Sequence, residues 1–292
     1  MRNIFIVFAF FLFSACTKNT NVVDTTKPVD QPVKLPPVVI PSTTIDSMLV
    51  LGNPSSATNN LYDYANFFLN EGYYYVSYNR DLARANWVSW HTETSSYGTT
   101  PRQDNFRPNN ELPSGWYLVD NSSYTGSGFD RGHMCPSMDR TSSIDANSST
   151  FLMTNIIPQG PNCNQGRWAQ LELYCKTLVD AGNELYIYSG AYGEGGTGDL
   201  GFASSIDNGR ISVPAYLWKM IVVLPNGNND LARINNSTRI ITVMMPNDNT
   251  VNLDWKSFRT SVDFIESQTN YNLLSKVPLN IQTVVEAITD NL

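Results

Sequence analysis

Five prolines between Pro28 and Pro41, with Pro32, Pro36 and Pro37 among them, divide the chain into a part that can build a core and a part that cannot. Proline fixes φ and removes a backbone donor, so no helix or central strand survives five so closely spaced. Residues 17–45, which hold them, are also rich in Thr, Val, Asp and Asn, the composition of an extended, semi-rigid spacer. Ahead of the spacer, Met1-Arg2 supplies a short positive start and Ile4 to Phe13 an unbroken apolar run. That run has the length of a signal-peptide core and is too short to span a bilayer well. The fold must therefore come from residues 46–292, enough chain for one large domain with a substantial core.

The apolar run ends in Phe13-Ser14-Ala15-Cys16, small residues before a cysteine. This resembles the cleavage site of bacterial lipoproteins, in which the cysteine becomes lipid-modified, although an aliphatic residue is usual where Phe13 stands. The resemblance implies a signal peptide over 1–16, a linker over 17–45 and a body tied to a membrane only through Cys16. The expected location is the outer membrane or cell surface, or else the periplasm or exterior. Three further cysteines, Cys135, Cys163 and Cys175, could supply one disulfide in an oxidising compartment, and the spacing leaves its pairing open. There is no CxxC, and the two histidines are His91 and His133, which argues against structural zinc.

The net charge is −7, so the overall field repels phosphate backbones. A nucleic-acid partner then requires positive charge gathered locally, for which Arg102, Arg107, Arg131, Arg140, Arg167 and Lys176 are the available groups. No obligate protein partner is evident.

Hydrophobic patterning from Ile45 onward gives a mixed order of elements. Tyr73 to Tyr78 and Trp87 to Thr92 are aromatic, β-prone and suited to pairing. Asn164 to Ala181 has helical periodicity, with Trp168, Leu171, Tyr174, Cys175, Leu178 and Val179 on one face and Gly182 as C-cap. Glu184–Gly190, Ala215–Leu224 and Arg239–Met245 read as strands, Phe258–Thr269 and Ile281–Ile288 as helices, and Asn121–Gly128 and Gly193–Gly201 as loops. The irregular succession predicts an α+β fold.

Two segments carry chemistry. Asp130-Arg131-Gly132-His133 places a carboxylate, a phosphate clamp and a near-neutral base within four positions. Asp130 could hold the imidazole ring or brace the Arg131 loop. The second segment is dense in amides: Thr154-Asn155-Ile156-Ile157-Pro158-Gln159, then Asn162 to Glu172. Asn164 suits a helix N-cap, or a hard-cation ligand through its amide oxygen. On a straight helix Glu172 would lie about 12 Å along the axis from Asn164, too far to share an ion directly. His91 and Trp168 read as structural, and the glycine-rich stretch lacks the Lys-Ser/Thr of a phosphate loop.

Asp130-Arg131-Gly132-His133 resembles the signature of the DNA/RNA non-specific endonucleases, the ββα-metal (His-Me finger) family that includes secreted bacterial nucleases and endonuclease G. The Thr154–Gln159 and Asn164–Glu172 segments are similar to the family's next two blocks, in order. Val213-Pro214-Ala215-Tyr216-Leu217-Trp218-Lys219 is similar to its downstream Pro-x-x-x-Trp-Lys strand. The resemblance spans about residues 60–292. It implies a central antiparallel sheet flanked by helices and sequence-independent, Mg2+-dependent cleavage of DNA and RNA, with 5′-phosphate products. It makes His133 the general base, Asn164 the single protein ligand of Mg2+ and Glu172 the acidic residue that orients water around the ion. Asn155 becomes a supporting amide and Arg131 the signature arginine. Arg102 is the upstream phosphate-binding arginine, with Arg107 as the competing choice. Lys176 stands where some relatives carry an arginine, and with Arg167 completes the expected substrate contacts. A site of one neutral amide plus water should also accept Mn2+. The competing expectation is a non-catalytic surface lipoprotein that binds nucleic acid or glycan.

Overall fold

The structure, a computed structural model, describes residues 47–292. The expected signal peptide, Cys16 and the whole of the linker lie outside the described residues. The chain begins with an antiparallel meander of β1 (Phe67–Asn70), β2 (Tyr75–Asn79) and β3 (Arg84–Thr92). After a long irregular stretch come β4 (Asp130–His133), the short helix α1 (Ile144–Ser149), β5 (Ile156–Gln159), α2 (Ala169–Asp180) and β6 (Asn183–Tyr192). Two small hairpins follow, β7 (Gly196–Gly198) with β8 (Gly201–Ala203) and β9 (Ser205–Ile206) with β10 (Ile211–Ser212). Then come β11 (Tyr216–Pro225), the single turn α3 (Asp230–Arg233), β12 (Arg239–Pro246), β13 (Arg259–Thr260), α4 (Val262–Thr269) and α5 (Leu279–Val285).

The main sheet has seven strands in the order β1-β2-β3-β6-β11-β12-β13, every neighbouring pair antiparallel. Period-two alternation sends its side chains to two different cores. Leu185, Ile187, Leu217 and Ile221 join Trp168, Leu171, Cys175 and Val179 under α2. Tyr186, Tyr188, Trp218, Met220 and Val222 face the opposite way, onto Val262, Ile265, Leu274 and Val285 of the C-terminal segment. Strands covered on both faces explain why β6 and β11 read as nearly continuous apolar runs. On the α2 side, β4 pairs antiparallel with β5, with His133 opposite Ile156 and Asp130 opposite Gln159. These two strands and α2 form a ββα unit laid against the sheet.

Local chemistry shifts three boundaries from the sequence reading. The helix expected from Phe258 begins at Val262, capped by the Ser261 side chain, because Trp255–Phe258 forms a 3-10 turn and Arg259–Thr260 adds a strand to the sheet edge. The last helix runs Leu279–Val285, just after Pro278, whose fixed φ suits a helix start. The stretch expected as a glycine-rich loop holds the β7–β8 hairpin, and a Cβ on Gly198 would lie 2.3 Å from the Gly128 carbonyl oxygen, so only glycine fits that approach. Gly182 closes α2 at φ +91°, as the C-cap reading requires. The disulfide the sequence permitted is not formed among the described residues. Cys135, Cys163 and Cys175 are free thiols buried in the core beneath α2, packed as small apolar groups.

Candidate active site

His133 sits at the end of β4, where the strand turns under α2. Its ring packs edge-on to Phe151, centroids 4.9 Å apart, and tilted against Phe106 at 5.5 Å. Its carbonyl accepts a hydrogen bond from the Trp168 indole at 3.3 Å. Burial first, then the cations Arg102 and Arg131, drive the imidazole pKa from 6.5 down to about 3. The ring is therefore neutral at physiological pH, the state a general base needs. Asn155, fully buried, fixes the turn just after it. The Asn155 side chain accepts from Cys135 N at 2.9 Å and donates to the carbonyls of Cys135 and Thr150. It therefore acts on the site through the backbone, not by touching the cleft.

Asp130 does neither of the things its sequence position suggested. Its Oδ2 accepts from the side-chain amides of Asn164 and Gln165, both at 2.8 Å. With its nitrogen held in this way, Asn164 keeps its amide oxygen for another partner. Gly132 is required by contact, since a Cβ there would lie 2.1 Å from the Gln159 side chain on the neighbouring strand.

Asn164 and Glu172 do not lie on one straight helix. Residues Cys163–Trp168 form a wide π-type turn, broken at Gly166 (φ −98°, ψ −106°), before α2 begins at Ala169. The axial spacing of an ideal helix does not apply across that break, and both side chains line one open cleft of about 270 Å³. Arg102, Arg131 and His133 line it with them. Oxygen donors of this kind, an oriented amide and a carboxylate, fit a hard divalent cation.

The cleft's positive charge comes from two arginines. Arg131 lies 4.3 Å over the Phe106 ring. Arg102 lies 4.7 Å over Phe151, bonds the Ser137 hydroxyl at 2.8 Å and keeps about half its side chain in solvent. Arg107 instead donates to the Ser148 carbonyl and does not line the cleft, whereas Arg102 does.

Three expected contributors are engaged elsewhere. Arg167 is 2% exposed, and its guanidinium donates to the carbonyls of Pro246, Asp248 and Val251, which removes it as a substrate contact. Lys176 pairs with Asp180 one turn on and lies 4.6 Å over the Tyr97 ring, outside the cleft lining. Arg140 is buried and serves the carbonyls of Tyr73, His91 and Asp139. His91 pairs with Glu184 at 2.9 Å and is structural, as expected.

Sequence reasoning missed the role of Lys219. It lies on the same face of β11 as Leu217 and Ile221, is 1% exposed, and approaches Glu172 Oε1 at 3.3 Å. Its ammonium also sits 4.2 Å over the Trp168 ring. Burial pushes the Glu172 pKa up to about 7, and Lys219 is the main influence opposing that rise. A cation at a core-facing position of an apolar strand was the available signal. Phe106 and Phe151, which wall in His133 and stack both arginines, left no such mark.

The sequence profile of the DNA/RNA non-specific endonucleases matches residues 52–280. The chain belongs to that family. It is 44% identical to a nuclease of Nostoc sp. (strain PCC 7120 / SAG 25.82 / UTEX 2576), over 88% of this chain and 91% of that protein. It is 31% identical to nuclease C1 of Cunninghamella echinulata var. echinulata, over 64% of this chain and 73% of the relative. Its fold matches a chain in the crystal structure of the EndoG/EndoGI complex with a TM-score of 0.64 at 20% identity, covering 80% of this chain and 92% of that one. The endonuclease is thus a phosphodiester hydrolase that acts on DNA and RNA without sequence specificity, from a metal-dependent family, on an α+β fold with a central antiparallel sheet.

Proposed function

We propose that the chain is a Mg2+-dependent endonuclease in which His133 is the general base. The observation that carries this reading is the convergence, in one cleft, of a buried neutral imidazole, an amide oxygen freed for a cation, a carboxylate and two arginines. His133 takes the proton from the attacking water, and its aromatic walls keep the ring neutral and fixed. Arg131 and Arg102, which lie over the Phe106 and Phe151 rings, hold the scissile phosphate. Asn164 would hold Mg2+ through its amide oxygen, with Glu172 orienting water beside it and Asp130 keeping the amide in register. A divalent cation held there would supply electrostatic stabilisation for the negative charge that develops as the phosphodiester is cleaved. Loss of the 3′-oxygen leaves 5′-phosphate ends. A site of one neutral amide completed by water would also accept Mn2+.

The sequence of residues 1–45 supports export, with a lipid on Cys16 and a spacer that holds the nuclease off an outer membrane or cell surface. Digestion of circular plasmid DNA and of RNA tests the catalytic reading. Both polymers should be degraded with Mg2+ or Mn2+ to 5′-phosphate ends, and neither with EDTA or by His133→Ala. A His133→Ala protein that retains full activity would remove the proposed base. Metabolic labelling with a fatty acid, lost in Cys16→Ser, tests the anchor.

A further inference from the structure

On the face of the sheet opposite the cleft, α4 and α5 bring three carboxylates together. Asp263 and Glu266 stand one turn apart on α4, and Glu286 directly follows α5, where its carbonyl accepts from the Asp263 amide at 3.1 Å. One oxygen from each side chain lies within 4.8 Å of one from each of the others. Asp263 is exposed, Glu266 half-buried and Glu286 7% exposed. No Lys, Arg or His forms an ion pair with any of them among the described residues. The decisive observation is separate from the clustering. Glu286 Oε1 is shielded from solvent and has no hydrogen-bond donor.

A buried carboxylate oxygen without a donor is costly to keep, and two neighbouring carboxylates add repulsion. A shared cation removes both costs. Oxygens bound to one calcium ion at about 2.3–2.6 Å can be no more than about 5 Å apart, a condition these three meet. The donors are all hard oxygens. Glu266 spends Oε1 on the Leu273 amide at 2.7 Å, which anchors that side chain and leaves its second oxygen. Half-solvated, irregular carboxylate sites suit calcium, which tolerates six to eight ligands including water, better than the strict octahedron of magnesium. We propose that Asp263, Glu266 and Glu286 form a second divalent-cation site, selective for calcium, that clamps α4 to α5 away from the catalytic cleft.

Calorimetric titration and thermal melting of the full chain at pH 8 test this. Calcium alone should bind with a Kd of about 0.1–1 mM and raise Tm by about 3 °C at saturation. The Asn164→Ala protein should keep that response, since the cleft ion is not involved. Glu286→Gln and the exposed Asp263→Asn should each lose it, while their Mg2+-dependent nuclease activity stays within about twofold of the parent. The proposal is overturned if folded parent protein shows no calcium response, or if the response disappears with Asn164→Ala and survives in both acidic variants. A Glu286→Gln protein that melts higher than the parent, with calcium inert in both, would mean that a proton occupies the cluster instead. The exposed Asp263→Asn keeps the test valid should Glu286→Gln fail to fold.

Discussion

Asn164 donates its side-chain amide to Asp130 Oδ2 at 2.8 Å, and this bond joins the first strand of the ββα unit to the turn that precedes its helix. The carboxylate dictates which end of the amide faces the cleft. Asp130→Ala frees the amide to rotate and should raise the Mg2+ concentration for half-maximal activity about 10–100-fold, the usual scale for loss of a ligand's supporting partner. High Mg2+ should restore part of the rate. A Mg2+ titration unchanged by the substitution would show that Asn164 needs no such brace.

Lys219→Met removes the cation that faces Glu172. Glu172 already has a pKa raised to about 7, so losing Lys219 pushes it further up and leaves more of the carboxylate protonated at neutral pH. Activity is lost as pH falls through that pKa, so the acid limb of the kcat profile should move to higher pH. The KM for DNA should hold steady, because Lys219 does not line the cleft. A uniform drop in kcat at every pH would point to misfolding around Trp168 instead.

The depressed pKa of His133 has a consequence for stability. Between its ordinary value of 6.5 and its folded value of about 3, the unfolded chain holds a proton that the folded chain does not. Its contribution is complete above pH 6.5 and is lost as pH falls, by about 2 kcal/mol between pH 6.5 and 5. His133→Asn removes this titration. Urea unfolding of both proteins should show the gap between them shrinking by about that amount from pH 7 to pH 5. A gap independent of pH would mean that the folded imidazole protonates normally.

Arg102 and Arg167 should part company when each is changed to alanine. Arg102→Ala should raise KM for polynucleotides and flatten the fall of log K with log salt by about one unit, the signature of one lost phosphate contact. Arg167→Ala strands three carbonyls and should cost about 2–4 kcal/mol of stability, a fall in Tm of about 4–16 °C, while the salt slope stays unchanged. Melting curves and salt titrations on the same preparations separate the two.

The strands of the fold were legible because their residues alternate or run apolar over lengths only a sheet can bury, as in Trp87–Thr92 and Tyr216–Pro225. His133, Arg131, Asn164 and Glu172 were legible as ordered motif blocks. Partnerships were not. Nothing in one dimension says that Asp130 would reach across to Asn164, or that Arg167 would turn inward to three carbonyls 79 to 84 residues away. Charge at a position is visible in sequence, but what neutralises it is a property of folded neighbours. That is why six candidate cations reduced to two at the cleft.

The break at Gly166 bears on how such a centre can be altered over time. An α-helix advances about 100° per residue, so deleting one residue from the widened turn would swing everything upstream around the helix axis. Asn164 would leave the cleft while Glu172, rooted in α2, stayed where it is. A single codon therefore separates a competent centre from one that keeps its base and arginines but has lost its cation ligand, and the inactive form would still fold on the same sheet.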